Sequence, residues 1–368
     1  MLVFFGTLAQ LTHGSHEVQE SFFQSLFVCW SSPMGWKIPV FPGGHLLGAV
    51  LLVNLVAAHV KRFRWTSNKL GIQLIHAGLI IMLAGGFFTD LFSIESFMRL
   101  TPGETRNYSE DPRAMELAVI DLSSNGTGRV ITIPDVGWGT DDVIQHKELP
   151  FKLRTRKYFH NSTLQFLDKS PSNVQAASSQ GFGTNVAVTE VPSVISEEKR
   201  DSESLVVDIL PEHHDAQGIS SSLGTWLLSE HFEKPQTFTA GGKTWGLVLR
   251  LRRYEKPYNL TLQKFTHDRF AGTEIAKSFV SRLSLDDREM KENRDVVISM
   301  NHPFRYRGDT FYQSGFEKED SATVLQVVHN PVSIAPYLAC VIVAVGLLIQ
   351  FGSHLYGFMR RRNLQPER

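Results

Sequence analysis

The chain of 368 residues carries 37 Lys and Arg against 37 Asp and Glu, so its formal net charge is zero and no basic surplus points to nucleic acid. Two cysteines, Cys29 and Cys340, are too few and too far apart for a disulfide framework. The absence of C-x-x-C and C-x-x-C-H excludes a thioredoxin-like redox protein and a c-type cytochrome.

Residues 1–9 (MLVFFGTLA) are apolar but too short to span a bilayer. They also lack the basic region and cleavage pattern of a signal peptide. The pattern predicts that the true start lies upstream and that 1–11 is the outer end of a truncated first membrane helix. Residues 12–40, with Cys29, Trp30, Pro33 and Trp36, read as an extracytoplasmic loop.

A transmembrane hairpin follows over 41–94. Residues 43–60 give about 27 Å of helix at ~1.5 Å per residue, close to a hydrocarbon core of about 30 Å. Lys61, Arg62 and Arg64 close this run, and a second span covers 70–91. A third span, 337–356, lies within a C-terminal helix at 331–358 and precedes Arg360, Arg361 and Arg362 in a tail at 359–368. Lys and Arg collect on cytoplasmic flanks, so both basic clusters are expected inside and residues 95–330 outside.

Within 95–330 the texture changes. Short runs such as MELAVIDL (115–122), FKLRTRKYF (151–159), LVVDIL (205–210) and TWGLVLRLRRY (244–254) alternate with Gly, Pro, Asn and Asp turns. Period-2 patterning at that spacing predicts antiparallel sheet, a sandwich or an open barrel, in two β-rich lobes. A polar insertion at about 168–204 separates them. The expected fold is a polytopic α-helical membrane protein of about four transmembrane helices, the first truncated, with a large mostly-β extracytoplasmic domain.

No phosphate loop, H-E-x-x-H, G-x-S-x-G or close Cys/His cluster occurs, and no catalytic residue is assigned. Asp141–Asp142 and Asp286–Asp287 sit in turn-like sequence and read as solvated pairs. The histidines say more. His76 lies six residues inside the second span, about 9 Å from its cytoplasmic end. An ionisable residue at that depth is a functional candidate by default, with an interhelical hydrogen bond as the alternative. Gly71, Gly78 and Gly85 repeat every seven residues on the same helix and form a stripe on which another helix can pack closely. His76 stands about 140° from Gly71 around the helix at ~100° per residue, away from that stripe. His45 and His329 occupy the outer boundaries of the first and last spans and are weaker ligand candidates. His354 ends the last span on the inner side, and Asn54 sits mid-span in the first.

Several segments resemble ResB-family cytochrome c biogenesis proteins. GTLAQ (6–10), VQESFF (18–23), LLVNLVAA (51–58) and LGIQLIHAGLIIMLAGG (70–86) resemble the family's membrane helices. ESFMRLTPGETRNYSEDP (95–112), LPFKLRTRKYFHNS (149–162), YEKPYNLTLQKFTHDRFAGTEIAKSFVSRLSL (254–285) and MNHPFRYRGDTFYQSGF (300–316) resemble its β segments. The resemblance implies a multi-pass protein of the bacterial cytoplasmic membrane, and the basic clusters place its C-terminus in the cytoplasm. The implied role is handling haem for system II cytochrome c assembly and helping to deliver it to apocytochrome c outside that membrane. It further implies haem b held without covalent attachment, with His76 as the axial-ligand candidate and no metal beyond the haem iron. The implied partners are a membrane protein with a tryptophan-rich motif, apocytochrome c and the lipid bilayer. The six tryptophans here are scattered, so the chain is expected to be a subunit of a cytochrome c synthase complex and not catalytic alone. A competing expectation is a membrane-tethered β-rich scaffold for envelope proteins that binds no haem.

Overall fold

The computed structural model describes residues 1–32, 36–62, 69–123, 128–135, 138–167, 175–194, 200–211, 222–269, 276–317 and 321–363. The chain divides into two compact units. One comprises Met1–Glu95, Arg305–Thr310 and Val328–Arg368; the other comprises Ser96–Phe304 and Phe311–Val327.

The first unit is mainly helical. Helix α1 (Leu2–Val18) is broken at Gly14, whose φ of 75° and ψ of 165° leave the helical region. A π-helical turn (Gln19–Phe23) follows, then a bulged hairpin of β1 (Phe27–Ser31) and β2 (Lys37–Pro42). The stretch read from the sequence as a loop at 12–40 is therefore helix and hairpin, and Cys29 lies in β1. Bulky residues pair there (Val28 with Phe41, Trp30 with Ile38) without the clean alternation that marks a strand in sequence. Helices α2 (Gly44–Arg62), α3 (Leu70–Phe92) and α4 (Ala335–Asn363) follow the predicted spans closely. These three helices are long and apolar enough to cross a membrane, and a shorter apolar stretch covers Leu2–Thr12. Pro336 sits in the first turn of α4, where its missing N–H costs no hydrogen bond. Cys29 and Cys340 are both free thiols.

The second unit is built from strands, although the ends of β3, β17 and β18 and most of β16 belong to the first. In chain order these are β3 (Ile94–Leu100), β4 (Thr105–Asp121), β5 (Val130–Pro134), β6 (Val143–Ile144), β7 (Phe151–Phe159), β8 (Ser162–Phe166) and β9 (Val186–Glu190). They continue with β10 (Ser204–Pro211), β11 (Thr225–Ser229), β12 (Gln236–Ala240), β13 (Lys243–Arg269), β14 (Ala276–Asp287), β15 (Glu292–Ser299), β16 (Phe304–Tyr306), β17 (Asp309–Phe316) and β18 (Thr323–His329).

Ten of them form one sheet in the order β15-β14-β13-β4-β3-β18-β17-β16, with β12 on β13 and β5 on β4. A bridge between Ser299 and His302 links the end of β15 to the turn leading into β16, so this path curls into a nearly closed barrel. Strand β13 serves two lobes. Its first part pairs with β4, and residues 259–269 pair with β14, with register shifts where it changes direction. The four-stranded sheet β11-β10-β7-β6 covers the first lobe, and Leu117, Phe151, Leu205, Ile209, Trp226 and Leu247 share one core between the layers. The second lobe buries Leu260, Leu262, Leu285, Ile298, Phe311 and Leu325. The first lobe is thus a sandwich, and the second is a nearly closed barrel where an open one was the expected alternative.

Candidate functional site

Helix α3 has two faces with opposite chemistry. Gly71, Gly78 and Gly85 are buried along one of them. A Cβ added at Gly78 would lie 2.6 Å from Val343 Cγ2 of α4, and one at Gly71 would lie 2.7 Å from the backbone N of Gln350. One at Gly85 would meet the Ala335 side chain at 2.8 Å. From the other side, a Cβ on Gly346 of α4 would sit 2.8 Å from the carbonyl oxygen of Gly71. Lipid tails are as apolar as leucine, so helices in a bilayer adhere by close van der Waals packing, which this glycine stripe permits.

His76 projects from the other face, as its angular position predicts. Its ring lies 6.0 Å, centroid to centroid, from the ring of His59 on α2, at an interplanar angle of 65°. The sequence reading passed over His59, because it stands two residues before Lys61 and reads as part of the basic flank. The signal that could have found it is a repeated interval. His45 and His59 are fourteen residues apart on α2, and His76 and Asp90 are fourteen apart on α3. At ~100° per residue such pairs fall within about 40° of one stripe. In an antiparallel hairpin, the two stripes meet as two polar rungs.

One rung, named outer after the orientation expected from the charge pattern, is His45 with Asp90. His45 Nε2 lies 2.5 Å from Asp90 Oδ2, and Gln24 Nε2 donates to Asp90 Oδ1 at 2.7 Å. The His45 ring also stands edge-on to Phe87, with centroids 5.9 Å apart. A cavity of about 490 Å³ opens beside this rung between α2, α3 and the π-helical turn.

The other sequence candidate, His329, has a separate partner. Its Nδ1 lies 2.9 Å from Asp309 Oδ1. Gly308, at φ 87°, lets the turn before Asp309 pass the imidazole, since a Cβ there would be 3.0 Å from His329 Cε1. His354 bonds Gln350 within α4 at 2.7 Å. The structure therefore does not gather His45, His76 and His329 into one cluster; each meets a different residue. Asn54 is exposed midway along α2, and no residue of the Gly44–Lys61 span is buried.

One residue of each acidic pair holds a turn, and Asp287 is buried where the sequence reading expected a solvated pair. Asp142 accepts the Gly139 N–H at 2.8 Å, and buried Asp287 accepts the Met290 N–H at 3.0 Å. His213 and His214 lie outside the described residues. One titratable cluster of the β unit was not singled out from sequence. The Tyr158 hydroxyl donates to Glu203, whose carboxyl burial pushes up to about 7, with the charges of Asp135 and Glu230 adding to the rise. Arg200, held at 2.7 Å by Glu230, partly offsets it.

Residues 224–323 match the ResB-like family. The resemblance read from the sequence holds over that stretch. It runs from the turn before β11 to the first residue of β18, and so includes the whole of β13 and β14. None of the candidate histidines 45, 76 and 329 falls inside it. The chain is also similar to Protein NrfI of Wolinella succinogenes, at 27% identity over 92 residues. That alignment covers 25% of this chain and only 10% of NrfI.

Proposed function

We propose that this chain is the haem-holding subunit of a system II cytochrome c assembly complex, and that His76 is an axial ligand to haem b. The observation that carries the reading is the facing of His76 and His59 across the α2–α3 seam in a chain with a ResB-like β unit. The donor set fits the group. Imidazole is a common axial donor to haem iron, and His76 and His59 are the residues that would hold it here. Haem supplies the reactive iron and porphyrin when bound; this chain supplies binding and orientation in a site of low dielectric.

In this reading the basic ends of α2 and α4 are cytoplasmic, and residues 95–330 lie outside a bacterial cytoplasmic membrane. The exposed span of α2, with Asn54 at its middle, is the surface that a tryptophan-rich membrane partner covers, since a polar side chain at membrane depth favours another helix over lipid. The β unit then meets apocytochrome c.

The test is the absorbance spectrum of the protein purified with its partner. His76→Ala is expected to remain in the membrane at near-normal amount, to lose most co-purified haem, and to impair holocytochrome c formation. Added imidazole restores part of the spectrum by occupying the vacated position. Wild-type spectra and cytochrome levels in His76→Ala would overturn the reading and leave the haem-free scaffold.

A further inference from the structure

The outer rung invites a different ligand from the inner one. Three observations define its chemistry. First, Gly48 of α2 and Gly86 of α3 line the cavity, and a Cβ added at either would meet nothing within 4 Å. Two glycines on facing helices leave a slot with flat walls, in contrast to the α3–α4 seam, where glycines are filled by the neighbouring helix. Second, Phe23 and Phe87 give the cavity aromatic lining, and Leu52 and Met82 add apolar side chains. Among the described residues, neither α1 nor α4 contributes to the lining. Third, the polar lining converges on one carboxylate. Asp90 holds His45 with one oxygen and Gln24 with the other.

These features select among the amphiphiles a membrane offers. Among the described residues no Lys or Arg lines the cavity, so nothing there neutralises a phospholipid phosphate. Nε2 of His45 is already engaged by Asp90 at 2.5 Å, which leaves Nδ1 as the nitrogen a ligand can reach. What the site offers is a hydrogen-bonding imidazole oriented by a carboxylate, aromatic edges and a planar slot. That combination suits a planar ring with oxygens at its rim and an apolar tail. We propose that this cavity binds the head group of a lipid-soluble quinone, with Nδ1 of His45, the nitrogen that Asp90 leaves free, hydrogen-bonding a ring oxygen, Asp90 holding the other nitrogen and Gln24 holding Asp90.

This inference stands independently of haem at His76, because the two rungs are fourteen residues, about 21 Å, apart along each helix. The test uses the full chain in nanodiscs of phosphatidylethanolamine and phosphatidylglycerol, titrated with a short-chain 1,4-naphthoquinone and, separately, a short-chain benzoquinone. Saturable binding of at least one quinone to the wild type is expected. His45→Gln should weaken it about tenfold, the size of one lost hydrogen bond to a ligand. Gly86→Leu fills the slot and should abolish binding. Both variants should leave the haem spectrum and thermal midpoint unchanged. Quinone affinity equal in all three proteins would overturn the proposal. Loss of the haem spectrum in His45→Gln would overturn it too, by making the outer rung part of the haem site. So would displacement of quinone by phosphatidylglycerol alone.

Discussion

The two seams of α3 solve opposite problems with the same helix. Against α4 it presents glycines, and the backbones approach until no side chain fits between them. Against α2 it presents His76 and Asp90, keeps an opening of about 490 Å³, and leaves the span of α2 without a buried residue. A membrane helix gains little from apolar contact alone, so adhesion has to be built where it is wanted and withheld where a ligand must enter. The close seam fixes α3, and the fixed helix then holds its polar rungs toward the open seam.

The comparison breaks most visibly at Gly78. Gly78→Leu drives a side chain into Val343 and is expected to cost about 1–3 kcal/mol or more, the range of core overpacking. Folded protein recovered from membranes should fall, and the thermal midpoint of what remains should drop. Gly86→Ala, one turn from the open seam's outer rung, should leave both unchanged, since its added methyl meets open space. Equal losses in the two variants would show that the seams are not different in kind.

His59 is the next handle. If the inner rung is a pair of imidazoles on one iron, His59→Ala should reduce co-purified haem several-fold and shift the spectrum of the remainder, while recovered protein stays constant. A His59→Ala protein with the wild-type spectrum would reduce the rung to His76 alone.

A smaller effect separates the helices from the β unit. The Glu203 carboxyl sits at about 7, well above its ordinary value of 4.5. A group whose folded pKa is raised contributes stability below its unfolded value and loses that contribution as pH rises through the folded one. The β unit should therefore lose stability between about pH 4.5 and 7, and Glu203→Gln should flatten that slope while keeping a partner for Tyr158. Thermal midpoints measured at pH 5 and pH 8 decide it: an unchanged slope in the variant places the titration elsewhere. Smallest of all, replacing Cys29 and Cys340 with serine is expected to change neither haem content nor thermal midpoint, because neither thiol has a partner in a disulfide.

Much of this was legible in the sequence for physical reasons. Apolar length marked α2, α3 and α4 to within a few residues, and the seven-residue glycine interval gave the face on which α4 packs. Period-2 runs marked most strands of the β unit. What escaped was set by tertiary partners. His59 carries no local mark beyond its neighbouring charges, and only its opposition to His76 gives it meaning. The β1–β2 hairpin lacks alternation, and Gly14 hides a helix that resumes beyond its break. Glu203 looked like one more solvated acid in a charged run, and its environment comes from Tyr158, forty-five residues away.

Strand β13 has a consequence for how the β unit comes apart. One continuous backbone of 27 residues is hydrogen-bonded to β4 in the first lobe and to β14 in the second. Neither lobe can melt fully without stripping partners from a strand the other lobe still needs. The two cores should therefore behave as a single cooperative block, melting in one calorimetric transition whose van't Hoff and calorimetric enthalpies agree. Mechanical load applied at the ends of the unit should likewise be resisted along that shared strand, and the lobes should yield together rather than in sequence.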